Sequence, residues 1–376
     1  MNRPRVLHVY KDYFPPVLGG IEKTINLLGQ GTRDEFDISV LVCKGPEPAG
    51  ESIVDGVHVI RVPEWGRFSS APISPAFVTA LRKHGAAADL LHLHHPNPTG
   101  DVAFLLTRPK APAVMTYHSD IVRQKYSMLL FAPFQKRVMA SCRYIMPTSP
   151  NYIESSPWLG QFRDKCSVVP LGIKLEDFDA TPEVQGLIPG IRSRFPGPCV
   201  IFVGRLRYYK GLQFLLPAMR NLEATLLIVG TGPMEPSLKE QVTHLGLAER
   251  VHFLGNLPHS QLVAHLRASD CFVMPSHLRS EAFGLSQVEA MACGLPVVST
   301  NIPTGVPFVN QDSVTGFTVA PESPQAMSDA LGKLLGNGEL RATMGTAARQ
   351  RAETLFSASA MCAGVKAIYR QALKDR

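Results

Sequence analysis

The chain contains no apolar run approaching the roughly 18–20 residues that cross a bilayer, and its N-terminus, "MNRPRVLHVYKDYFPP", lacks a signal-length apolar stretch because Lys11 and Asp12 interrupt it. A cytoplasmic protein is expected, with peripheral contact at the inner face of the cytoplasmic membrane as an option. Seven cysteines are scattered without a CxxC pair. They read as buried thiols of a reducing compartment, not as metal ligands or a redox motif. No G-x-G-x-x-G follows the first apolar run, which argues against a dinucleotide-dependent dehydrogenase. Zinc-finger spacing, RNP-like aromatics and dense basic runs are also missing, so nucleic acid is the least suited partner. Solenoid-length repeats and low-complexity tracts are absent.

What is present is a globular composition: 376 residues, 45% apolar, 18% charged, with mean hydropathy near zero. That length suits two domains, each able to bury a core. The net charge of +7 is unevenly spread. Residues 1–170 hold 19 Lys/Arg against 14 Asp/Glu, and the rest 19 against 17. A basic first half suits an anionic ligand or membrane surface.

Short β-rich runs alternate with helical patterns, the mark of parallel sheets flanked by helices. The first half offers "RVLHVY", "DISVLVC", "VHVIRV", "DLLHLHH", "AVMTYHS", "YIMPTS" and "CSVVPLG". The second offers "CVIFVG", "ATLLIVG", "RVHFLG", "CFVMPS", "PVVST" and "GFTVA". The expected architecture is α/β, two doubly wound Rossmann-like domains facing a cleft. Their expected bounds are 1–170 and 198–355, joined by a Pro/Gly-rich linker over 171–197. A final helical segment, 356–376, would pack back on the first domain. Ligands of such sheets bind beyond the carboxyl ends of the strands.

The stretch "SEAFGLSQVEAMACGLPVVST" (280–300) sets Glu281 and Glu289 in mostly apolar surroundings. Carboxylates buried there cost several kcal/mol unless partnered. "LSQVEAMAC" fits a helix closed by Gly294, so the amides of Phe283, Gly284 and Leu285 would lie unpaired at its positive end. That is a ready phosphate site, and Gly284 would allow close approach of the ligand. Glu281 could accept from sugar hydroxyls and Glu289 could hold the two vicinal hydroxyls of a ribose. A nucleotide-sugar needs such a set. Arg205 and Lys210, just after "CVIFVG", supply two cations for a diphosphate leaving group, whereas Arg207 reads as solvated surface.

E-x7-E followed by "AMACGLPVVST" resembles the signature of retaining GT-B glycosyltransferases of family GT4, and the likeness runs nearly end to end. "YFPPVLGGIEKTINLL" (13–28) resembles that family's N-terminal glycine loop, with Gly19 and Gly20. "VMTYHSD" (114–120) resembles its His-bearing strand end, and "SVVPLGIKLEDF" (167–178) its interdomain segment. "VGRLRYYKGLQFLL" (203–216) resembles its Arg/Lys phosphate clamp, and "IVGTGP" (228–233), with Gly232, its glycine turn near the nucleotide. "YHSDIVRQKYSMLL" with "SHLRSEAFG" looks closest to bacterial O-polysaccharide mannosyl- and rhamnosyltransferases that use GDP-sugars. One departure is "NIPTGVPFVNQ", which puts Phe308 near the place where many members carry a further Glu.

The resemblance implies a hexosyltransferase acting on a lipid-linked saccharide. It makes Glu281, His118, Lys210 and Arg205 the catalytic candidates. The donor would be bound by Gly19, Gly20, Arg205, Lys210, Gly232, Leu257, Phe283, Gly284, Leu285 and Glu289. No cofactor and no metal are expected. The histidines of "HLHHPNP" (92–98) read as cleft-edge residues, and "DFD" (177–179), which mimics an Asp-x-Asp metal motif, as solvated. "DIVRQKYSMLLFAPFQKRVMASCRYI" (120–145) mixes Arg123, Lys125, Lys136, Arg137 and Arg143 with Met128, Leu129, Leu130, Phe131 and Phe134. It suits either a core-facing helix pair or docking on an anionic leaflet. The rival readings are a nucleotide-sugar 2-epimerase and a non-catalytic nucleotide-sugar-binding subunit of a polysaccharide-assembly complex. Clustered acid/base carboxylates would favour the first, and failure to hydrolyse donor the second.

Overall fold

A computed structural model describes residues 3–17, 19–68, 71–121 and 125–375, the side chains of 125–130 excepted. Arg123 and the side chains of Lys125, Met128, Leu129 and Leu130 therefore lie outside the described residues. The chain divides into two compact units, 1–172 with 358–376, and 173–357.

The first unit runs β1 (Arg5–Val9), α1 (Gly20–Thr32), β2 (Asp37–Cys43), β3 (Gly50–Val54), β4 (Val57–Val62), β5 (Gly66–Phe68) and β6 (Ala71–Ile73). It continues with α2 (Pro75–Ala87), β7 (Leu90–His95), α3 (Pro98–Thr107), β8 (Ala113–Tyr117), α4 (Lys125–Ser141), β9 (Tyr144–Pro147) and α5 (Pro150–Ser155). Seven strands form one sheet in the order β3-β4-β2-β1-β7-β8-β9. All neighbours are parallel except the β3–β4 hairpin. That hairpin turns on Asp55 and Gly56, both at positive φ, the Asp-Gly turn that matches the twist of paired strands. Strands β7 and β8 are buried along their whole length, because helices cover both faces of a parallel sheet.

The second unit contains α6 (Pro182–Arg194), β10 (Cys199–Val203), α7 (Leu212–Ala218), β11 (Thr225–Val229), α8 (Glu235–His244), β12 (Val251–Gly255), α9 (His259–Ala268) and β13 (Cys271–Met274). After these come α10 (Leu285–Ala292), β14 (Val297–Thr300), α11 (Val306–Val309), β15 (Gly316–Val319), α12 (Pro324–Leu335) and α13 (Gly338–Leu355). Its six strands are all parallel, in the order β12-β11-β10-β13-β14-β15. Val200, Phe202, Leu226, Ile228, Val273 and Val298 project from this sheet into one apolar core with Leu215, Leu216, Leu331 and Leu334 of the covering helices. Strand order reverses between β10 and β13, so the loops after these strands flank a topological switch point.

The linker expected over 171–197 is mostly helix. Thr181 accepts from the Val184 amide, Pro182 occupies the first helical turn, and α6 packs on α9. A threonine cap followed by proline is a helix start, and the Pro/Gly content of the stretch hid it. "CSVVPLG" forms only an isolated bridge between Cys166 and Ile145.

The chain returns to the first unit as α14 (Ala358–Lys374). This helix lies against α1, β7 and β8. Lys366 pairs with Asp34 at 2.6 Å and Arg370 with Glu35 at 2.7 Å. The Sγ of Cys362 fills the space that a side chain at Gly31 would need.

Candidate active site

In the second unit, Arg205, Lys210, Gly232, Leu257, Glu281, Phe283, Gly284, Leu285 and Glu289 all follow the carboxyl ends of β10, β11, β12 or β13. At the switch point the structure joins two of them. Lys210 Nζ lies 2.5 Å from Glu281 Oε2, and both side chains are buried. Ser276 Oγ donates to the same carboxylate oxygen at 3.3 Å. The two loops are tied by the His277 amide, which donates to Tyr209 O. Burial pulls the Lys210 ammonium down. Glu281, with lesser help from Tyr209 and Glu289, outweighs it and holds its pKa above the ordinary lysine value. Lys210 is therefore a protonated cation held against Glu281.

Glu281 and Lys210 were expected to serve sugar and diphosphate separately; the structure pairs them with each other. An ammonium has three donors, so one can stay on Glu281 while others meet an incoming anion.

Helix α10 starts from Gly284, whose left-handed φ of +81° only glycine tolerates without strain, and a Cβ there would strike Met274 Sδ. Among the described residues no acceptor takes the amides of Phe283, Gly284 or Leu285. They sit at the positive end of an eight-residue helix. What fixes this start was not read from the sequence. The fully buried Gln287 donates to Phe283 O and Val306 O, and the Gly305 amide donates to Ala282 O. Sequence could have flagged Gln287 as a polar residue on the buried face of an amphipathic helix.

Arg205 is exposed, and Arg207, expected as solvated surface, is half-buried. Neither side chain has an ion-pair partner among the described residues. Gly232 is held by packing, since a Cβ would enter the Leu206 backbone, whose N–H donates to Thr231 O. Leu257 is half-buried after β12, and no hydrogen bond or ion pair joins it to Lys210 or Glu281. The Phe283 ring packs edge-on against Phe356, as does Phe308, with the Arg351 guanidinium over both Phe308 and Phe356. Phe308 is thus a packing residue.

In the first unit, Gly19 and Gly20 open α1. The Glu22 carboxylate folds back over Gly19, where a Cβ would collide with it. Burial pushes the Glu22 carboxyl up, with Asp12 adding repulsion and its own amide, Lys11 and Arg67 opposing. The chain's own acid therefore covers this helix start. Arg67 grips Asp12 through two hydrogen bonds of 3.1 and 2.6 Å.

His118 follows the end of β8, is buried, and carries a neutral imidazole because burial lowers its pKa to about 3. Its Nε2 is 3.1 Å from His94 Nδ1, and its Nδ1 has no partner among the described residues. The histidines of 92–98 are not at an edge. His92, His94 and His95 are fully buried in β7, because that strand lies mid-sheet with both faces covered. His8, His92 and His94 form the one group among the described residues whose ligating atoms lie close enough, within 4.8 Å, to hold a metal. Their ring nitrogens are instead engaged with one another, with Tyr369 and with Thr116. Asp179 of "DFD" pairs with Arg349 at 3.1 Å and Phe178 is buried. Both aspartates, Asp177 and Asp179, are exposed, so the carboxylates of the motif are solvated as expected while the phenylalanine between them packs inward.

Comparison with known proteins matches this arrangement to one class of enzyme. Residues 19–172 match the glycosyl transferase 4-like domain and residues 192–351 the model of glycosyl transferases group 1. The O-antigen chain mannosyltransferase C of Escherichia coli is 35% identical over 99% of this chain and 100% of its own. The D-rhamnosyltransferase WbpZ of Pseudomonas aeruginosa is 35% identical over 94% of this chain and 92% of its own. Among solved structures, sucrose-phosphate synthase from Thermosynechococcus elongatus superposes with a TM-score of 0.82 at 22% identity, covering 100% of both chains. Anabaena HepE in complex with UDP gives 0.78 at 20% identity, covering 98% of this chain and 100% of its own. The chain is a glycosyltransferase of the GT4 family with the two-domain GT-B fold, of the O-antigen mannosyl- and rhamnosyltransferase type.

Proposed function

We propose that the enzyme moves a hexose, mannose or rhamnose, from a GDP-sugar to a lipid-linked saccharide with retention of configuration, in bacterial O-antigen or surface polysaccharide synthesis. The observation that carries the reading is the buried Lys210–Glu281 pair beside a helix start with free amides. As the anomeric C–O bond breaks, the leaving diphosphate gathers negative charge. Lys210, Arg205 and the amides of Phe283, Gly284 and Leu285 stabilise it, and preorganised donors of this kind act most strongly in a water-poor site. Glu281 orients sugar hydroxyls, Glu289 holds the ribose, and Gly232 and Leu257 lie toward the base. In the other unit, Gly19 and Gly20 contact nucleotide or acceptor, and His118 contacts the sugar. No side chain is assigned as a covalent nucleophile; the leaving phosphate assists the acceptor on the same face.

The reading needs no metal, because cations and peptide N–H groups supply the charge. The names of the relatives, O-antigen mannosyl and D-rhamnosyl transfer, support the sugar class. No described helix is long and apolar enough to cross a membrane. Access to a lipid-linked acceptor is assigned to peripheral contact through the basic segment 120–145.

The test is transfer to a lipid-linked acceptor from GDP-mannose, GDP-rhamnose, UDP-glucose and ADP-glucose, each with EDTA or Mn²⁺, with the product anomer read by NMR. The expected outcome is EDTA-insensitive transfer from a GDP-sugar with the donor's anomeric configuration kept. Transfer only from UDP- or ADP-sugars, dependence on Mn²⁺, or an inverted anomer would each overturn the corresponding part.

A further inference from the structure

Six polar side chains form one hydrogen-bonded chain through the sheet of the first unit. Starting at His118, Nε2 meets His94 Nδ1 at 3.1 Å, and His94 Nε2 meets His8 Nδ1 at 2.9 Å. His8 Nε2 then meets the Tyr369 hydroxyl at 3.0 Å. That hydroxyl also meets His92 Nδ1 at 2.6 Å, and His92 Nε2 meets Thr116 Oγ1 at 2.7 Å. Every member is buried. The His8–His94 and His94–His118 ring pairs are near parallel, at 21° and 23°, with centroids 5.2 and 5.3 Å apart. That spacing places each pair side by side along an N···N bond.

Burial keeps the rings neutral, with His8 and His118 lowered to about 3 and His92 and His94 well below the ordinary value. A neutral imidazole has one donor and one acceptor nitrogen, so the protons of the chain must all run one way. Two polarities are possible. If the Tyr369 hydroxyl donates to His92, then His92 must donate to Thr116, and the Thr116 proton has no acceptor among the described residues. His118 Nδ1 is then a bare lone pair, also without a partner. If Tyr369 instead donates to His8, Thr116 donates to His92 and His92 to Tyr369. Every proton in the chain then has an acceptor except the one on His118 Nδ1. The first polarity strands two buried groups and the second only one, and stranded buried groups are the costly ones.

We propose that this chain holds His118 as the Nδ1–H tautomer, so that it offers a hydrogen-bond donor to an oxygen of the bound donor substrate and does not act as a base. His94, His8, Tyr369, His92 and Thr116 are then positioning residues for that proton, with Tyr369 acting from α14. The substrate side of this statement rests on the sugar contact assigned to His118 above; the tautomer does not.

The test is ¹⁵N NMR of the histidine rings in the intact enzyme, with His118 assigned by His118→Gln. In the wild type, His118 Nδ1 should read as protonated and Nε2 as unprotonated. Thr116→Val leaves both polarities with two stranded groups, and Tyr369→Phe removes the hydroxyl that selects between them. In each variant the His118 Nδ1 signal should move toward the unprotonated position, while Thr116→Ser, which keeps the hydroxyl, should retain the wild-type tautomer. Transfer should slow by about tenfold at saturating donor, the worth of one neutral hydrogen bond, with KM little changed. An unprotonated Nδ1 in the wild type, or an unmoved signal in both Thr116→Val and Tyr369→Phe, overturns the proposal. A moved signal with unchanged transfer keeps the chain and removes the role of His118 toward the sugar.

Discussion

At the scale of single residues, the Lys210–Glu281 pair decides most. Removing one partner strands the other in a buried place, which costs about 3–5 kcal/mol for an uncompensated charge. Lys210→Met or Glu281→Leu alone should therefore lower stability by that order and transfer by roughly 10²–10³, the loss of one preorganised stabiliser. The double variant Lys210→Met/Glu281→Leu should recover most of the stability while remaining inactive. Urea unfolding and transfer rates measured on all four proteins check this, and a double variant as unstable as the singles would contradict it. The two residues were legible in the sequence as functional candidates because each follows a strand end within a distinctive motif. Their mutual contact was not. They are 71 positions apart, and only the parallel pairing of β10 with β13 brings their loops together. The partial burial of Arg207 was not legible for a related reason: Arg205 and Arg207 follow one strand end, and exposure there depends on how the turn to Lys210 winds.

At the scale of elements, continuous apolar runs mark buried parallel strands, and nearly all of those expected are present. The misses were elements whose signal is a turn or a cap. Strand β3 is exposed, with burial only at Val54, so it has no apolar run, although Asp55-Gly56 announced a hairpin. Helix α6 is largely exposed, with Val184 its one fully buried residue, so it shows little periodicity, although Thr181-Pro182 announced its start. Helix α4 lies in the segment proposed to contact the membrane. Its described surface exposes Lys136, Arg137 and Phe134, and each cation near an anionic surface contributes about 1 kcal/mol. Lys136→Glu/Arg137→Glu should lower sedimentation with anionic liposomes by on the order of tenfold or more and leave neutral liposomes unaffected. Equal binding of the wild type to both kinds of vesicle would remove the electrostatic argument.

At the scale of the whole molecule, the buried histidines couple folding to pH. A histidine free in the unfolded chain takes up a proton near pH 6.5, whereas His8 and His118 stay neutral in the fold down to about 3. The unfolded state thus binds more protons between those values. The stability that the neutral rings confer is complete above about pH 6.5 and is lost progressively as pH falls below it. Between pH 6.5 and 5 the loss should be about 1–2 kcal/mol per ring, read as a falling urea midpoint. An unchanged midpoint over that range would mean the rings charge within the fold. Composition and motif spacing made the two-domain α/β plan and the candidate residues legible. Nothing local in "HLHHPNP" showed that its histidines would meet His8 and Tyr369, because that cluster needs three strands and a helix from the far end of the chain.

Tyr369 closes the imidazole row, yet it lies beyond the entire second unit in the order of synthesis. While a ribosome is still translating, the first unit can pair its strands but not seal them. His8 and His92 await a hydroxyl that emerges only after some 185 intervening residues, 173–357, have been made. The inserted unit can therefore mature before its host, and α14 completes the structure that β1 began.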